Sequence, residues 1–87
     1  MSTNMKIEKL LKMLASIDNT EDFKALMEDL CTTKELENMA ERFYAAELLM
    51  EGKTYSQVIE QTDISSATLS RVSQCVQYGE GYTKMLK

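Results

Sequence analysis

Proline is absent from all 87 residues, and the only three glycines stand at positions 52, 79 and 81. The first 51 positions therefore lack the two residue types that most sharply interrupt a helix, so helix can run wherever the apolar spacing supports it. Ile7, Leu10, Leu11, Leu14 and Ile17 follow the i, i+3, i+4, i+7 spacing of one helix face, and Asp18-Asn19-Thr20 supplies stop and restart chemistry. Phe23, Leu26, Met27 and Leu30 repeat that spacing in a second helix ending near Cys31. Thr32-Thr33-Lys34-Glu35 reads as a capping box that opens a third helix. Its expected inward stripe is Leu36, Met39, Ala40, Phe43, Ala46, Leu49 and Met50, and Gly52 follows as the terminating residue. A helix of about 18 residues, roughly 27 Å long, suits the spine of a dimer.

Apolar residues make up 44% of the chain and charged residues 28%, the balance of a single folded globular domain. At this length one core is near the lower limit of independent stability, so a partner chain is expected to help. No apolar run approaches the roughly 20 residues of a membrane span, and Met1 to Asn4 lacks a secretory start, which points to the cytoplasm. There is no histidine, and Cys31 and Cys75 form no CxxC pair, so neither a zinc site nor a thiol-histidine pair can be assembled. No pair of carboxylates is marked by spacing, and neither metal nor catalysis is expected. The 7 methionines read as adaptable packing rather than as a cofactor site.

Charge is uneven along the chain. Residues 1 to 51 hold 6 basic and 11 acidic side chains, net −5, whereas residues 52 to 87 hold 4 basic and 3 acidic, net +1. The second part also carries the most specific local pattern. Thr54-Tyr55-Ser56-Gln57 is a capping box; Val58 and Ile59 give an apolar face; Thr62-Asp63 breaks the helix; Ile64 is apolar; Ser65-Ser66 caps anew. The helix that follows is expected to turn Ala67, Leu69, Val72 and Val76 inward and Ser65, Ser66, Thr68, Ser70, Arg71, Ser73 and Gln74 outward. Two short helices joined by a tight turn, the second one polar outside, make a helix-turn-helix, whose second helix enters the major groove of DNA. Asp63 stands where such turns commonly have glycine, and it tolerates the left-handed conformation better than most residues. No acid lies between Asp63 and Glu80, as a surface that approaches phosphate requires. The expected DNA contacts are Lys53, Ser65, Ser66, Thr68, Ser70, Arg71 and Gln74. Four basic residues are few for one copy, a second reason to expect two.

Leu30 to Gln77 resembles the bacterial Trp repressor family, and within it the small TrpR-like YerC/YecD branch. The resemblance rests on Thr32 with Glu35, Arg42, the run from Glu47 to Gly52, Ser56-Gln57 and Ala67-Thr68-Leu69-Ser70-Arg71. It implies an all-α fold of about six helices, an intertwined homodimer and two reading heads on a palindromic operator, acting as a repressor. It also implies a small-molecule corepressor site at Thr32, Arg42 and Arg71, the two arginines flanking the ligand. Tryptophan itself is disfavoured there. Val72 stands for a glycine that leaves room beside the ligand, Cys75 for a serine that holds its amino group, and Asp29 and Cys31 for pocket leucines. A branched side chain in place of that glycine costs about 1 to 3 kcal/mol if the site cannot relax. The turn before Ser65 is also one residue shorter than in the tryptophan-responsive repressor. Arg42 pairing a carboxylate and Arg71 holding a phosphate remain open readings.

Expected domains are dimerisation helices over 1–52, the helix-turn-helix over 53–77, and a C-terminal turn with a short helix over 78–87. There Tyr78 and Tyr82 either pack on the dimer spine or stack on the DNA backbone, packing being preferred. The competing reading is a helical protein-protein interaction module whose exposed serines are solvated surface.

Overall fold

The computed structural model describes residues 1–87 and contains six helices: α1 (Thr3–Ser16), α2 (Thr20–Leu30), α3 (Thr33–Met50), α4 (Tyr55–Gln61), α5 (Ser66–Tyr78) and α6 (Gly81–Met85). The chain divides into two compact units, Met1–Thr33 and Lys34–Lys87. No helix is long and apolar enough to cross a membrane.

In the first unit, local chemistry sets the helix ends. The Ser2 hydroxyl accepts the Met5 N–H at 3.2 Å and opens α1. Asn19 opens α2 by accepting the Asp22 N–H at 2.8 Å while its own amide donates to the Asp22 carboxylate at 2.9 Å. Glu21 and Asp22 then lie in the first turn, where the helix dipole favours negative charge. Packing is another matter. Neither α1 nor α2 has a buried residue, and Ile7 and Leu11, on the expected inward face, are 50% and 58% exposed.

The second unit has a core. Ala45, Ala46 and Leu48 of α3 meet Val58 of α4 and Leu69 and Val72 of α5, with Leu49, Ile64, Val76, Tyr82 and Leu86 packed around them. Val58 and Leu69 are its largest fully buried side chains, each contributing about 1.5–3 kcal/mol of hydrophobic stabilisation. This corrects part of the expected stripe of α3, in which Ala46 and Leu49 do pack in the core. Glu41, Ala45, Leu48 and Leu49, at i, i+4, i+7 and i+8, face the core, whereas Met39, Ala40 and Phe43 are exposed. The helix is apolar on two sides, and the head of its own unit covers one.

α3 ends as expected. Gly52 adopts φ +91°, its N–H donates to the Leu49 carbonyl at 3.0 Å, and the Lys53 N–H donates to the Leu48 carbonyl at 3.1 Å. This is the two-bond Schellman closure. At the other end of the unit, a Cβ on Gly79 would come within 2.7 Å of the Cys75 carbonyl oxygen, so glycine is what lets the chain leave α5 so closely. The chain then returns through α6, bringing the Tyr82 ring to 6.3 Å from that of Phe43, while Tyr78 stays in solvent. Of the two C-terminal tyrosines, then, one packs and the other does not.

Candidate nucleic-acid interface

α4 and α5 are both capped by side chains of the residues that precede them. Thr54 accepts the Gln57 N–H at 3.2 Å, and the Gln57 side chain accepts the Thr54 N–H at 2.8 Å, completing the expected capping box of α4. At the far end the Thr62 hydroxyl donates to the Val58 carbonyl at 2.7 Å. The Asp63 N–H donates to the Glu41 carboxylate at 3.2 Å, Ile64 is half-buried against the core, and Ser65 caps α5. Contrary to expectation, the turn contains no left-handed residue: Thr62 is extended at φ −129°, and no non-glycine residue has positive φ. Asp63 is therefore not a glycine substitute in a left-handed turn.

Along α5 the back and the front separate by helical geometry. Leu69, Val72 and Ser73 are buried, with Val76 half-buried beside them. The outer row is Ser66, Ser70 and Gln74, spaced i, i+4, i+8 and all exposed. Two expectations change. Ser73 lies four residues after Leu69 and is only 6% exposed, so it belongs to the packed side and not to the outer surface. Ala67, expected inward, lies four residues before Arg71 and is exposed beside the outer row. Its position follows from α5 beginning at Ser66, a boundary that was legible, so counting around the helix would have found it.

The remaining candidates differ in how free they are. The Ser65 hydroxyl accepts the Thr68 N–H at 3.2 Å and donates to the Thr68 hydroxyl at 3.1 Å, so its first role is the cap. Thr68 is half-buried. Lys53 and Arg71 are exposed, and neither is in an ion pair; the pairs present are Lys12 with Glu8 and Lys84 with Glu80. Arg71 also borders a hollow of about 390 Å³ between α3, α5 and α6, with Arg42 across it and Thr68, Val72, Cys75 and Tyr82 on its walls. Two arginines thus line one concavity that no acidic residue lines. Thr32, the third expected ligand contact, lies in the other unit. Cys31 and Cys75 are free thiols, half-buried, and no cluster of acids and thiols could hold a metal ion.

Comparison with known proteins gives the chain a family. Residues 5–87 match the family model described as Trp repressor protein. The chain belongs to the Trp repressor family. Among relatives in the family, it is 34% identical over 80 residues to the uncharacterised protein YerC of Bacillus subtilis (strain 168), covering 92% of this chain and 77% of YerC. Two crystal structures share the fold. A TrpR-like protein from Eubacterium eligens ATCC 27750 superposes with a TM-score of 0.87 at 33% identity, covering 93% of this chain and 84% of that one. A candidate Trp repressor from Staphylococcus aureus gives 0.88 at 29% identity, covering 94% and 83%. The Trp repressor family is one of regulators rather than enzymes, and this chain carries its six-helix fold.

Proposed function

We propose that this protein is a cytoplasmic, homodimeric, sequence-specific DNA-binding regulator, a repressor by kinship, that reads a palindromic operator through α5. The observation that carries the reading is the exposed row of Ser66, Ser70 and Gln74 on the second helix of a helix-turn-helix, within a stretch from Ile64 to Gly79 that contains no acid. The Gln74 amide suits the paired donor and acceptor of adenine, the serine hydroxyls suit either base edges or phosphate, and the Ala67 methyl suits thymine. Lys53 and Arg71 supply cations for phosphate or guanine, and the Ser65 and Thr68 hydroxyls lie at the end of α5 that approaches the duplex.

A second copy of the chain is the partner that best fits the apolar surface left uncovered. α1 and α2 bury no residue, and α3 keeps a second apolar side with Met39 and Phe43 exposed. A small domain gains most by covering such surface, and two-fold pairing gives two reading heads. Arg42 and Arg71 are the residues we propose for an effector. Buried Val72, with Cys75 and Tyr82 nearby, leaves tryptophan poorly accommodated.

The test is selection from random duplexes with the purified chain at low salt. A palindromic consensus is expected, and enrichment of no sequence would leave the interaction-module reading in its place. Light scattering should give the mass of two chains; a monomer would remove the paired heads.

A further inference from the structure

Of the 14 acidic residues, Glu41 alone is half-buried, and the others are exposed. It lies on α3 in the row with Ala45 and Leu48, so its stem faces the core of the second unit. No lysine or arginine neutralises it; the ion pairs formed are Lys12 with Glu8 and Lys84 with Glu80. Its carboxylate instead accepts the backbone N–H of Asp63, 22 residues further along. The other side-chain hydrogen bonds of the reading head, Thr54 with Gln57, Thr62 with Val58 and Ser65 with Thr68, are local to α4 or α5. They shape each helix without tying it to α3. Beyond apolar packing, which is directionless, the bond from Glu41 to Asp63 is what fixes the turn against the long helix.

We propose that Glu41 is a positioning residue for DNA recognition, anchoring the turn between α4 and α5 to α3 and so setting the angle at which the outer row of α5 is presented. This rests on the DNA-binding reading given above. The anchor matters because Asp63 is the residue just beyond the end of α4 and two before the cap of α5. A shift there is carried along all 13 residues of the recognition helix. Two heads meeting one duplex must both hold that angle, so loosening the turn weakens binding twice per dimer.

The experiment compares Glu41→Ala with Glu41→Gln. Both remove the same negative charge, so any gain from reduced repulsion of phosphate is common to them, and only glutamine keeps an oxygen acceptor. Amide exchange at Asp63 reads the bond itself, independently of DNA; affinity for the selected duplex reads its consequence. Expected are faster Asp63 exchange and an affinity loss on the order of 10-fold in the alanine variant relative to the glutamine variant. Thermal unfolding of the two should coincide within a few degrees. Equal Asp63 exchange in wild type and both variants would overturn the anchor. Faster exchange with equal affinity would overturn its role in recognition. If the wild type selects no duplex, the DNA-binding reading fails, and the positioning role fails with it, whatever the exchange data show about the bond.

Discussion

Salt dependence offers the most discriminating number. Two cations of the 53–77 segment, Lys53 and Arg71, are exposed and form no ion pair, whereas Lys84 pairs with Glu80 at 3.5 Å. A dimer would therefore neutralise about 4 phosphates, and the logarithm of the binding constant should fall against that of salt with a slope of about −3.6. Between 50 and 200 mM salt this is a loss of about 150-fold. Arg71→Ala leaves about 2 contacts per dimer, a slope of about −1.8 and a loss of about 12-fold over the same range. Fluorescence anisotropy with the selected duplex at four or five salt concentrations measures both lines. If Arg71 reads a base, the mutant also loses about 1 to 3 kcal/mol at sites that carry that base and little elsewhere. A wild-type slope near zero, or one that Arg71→Ala leaves unchanged, would refute the assignment of these side chains to phosphate.

Two further predictions concern the body that carries the heads. Leu69→Ala empties a fully buried position behind α5 and should cost about 3–5 kcal/mol in urea unfolding at fixed chain concentration; a loss under 1 kcal/mol would mean that the core is elsewhere. Gly52→Ala meets nothing within 4 Å, yet its φ of +91° should make it cost about 1–2 kcal/mol in the same assay, with DNA specificity unchanged.

The ends of the helices were legible because capping is local. Thr54 with Gln57, Ser65 and Gly52 each announce themselves within four residues, and each lies where the pattern placed it. The two sides of α3 were not. Its larger side chains, Leu36, Met39, Phe43 and Met50, dominate any apolar pattern, whereas the side that meets α4 and α5 also needs Leu48 and Ala45, whose methyl adds little signal. Ser73 and Ala67 follow helical phase rather than residue type: a serine on the line of Leu69 is carried inside, and an alanine on the line of Arg71 is carried out. Nothing local could have marked Glu41, since its partner is a backbone amide on another element.

The separation of the two sides of α5 has a consequence for how such proteins diversify. Ser66, Ser70 and Gln74 contribute nothing to the packed interior, which is held by Leu69, Val72 and their neighbours. Three positions can therefore be rewritten while the scaffold keeps its stability, and on the DNA-binding reading proposed above a lineage can acquire a new target by changing letters that folding never consults.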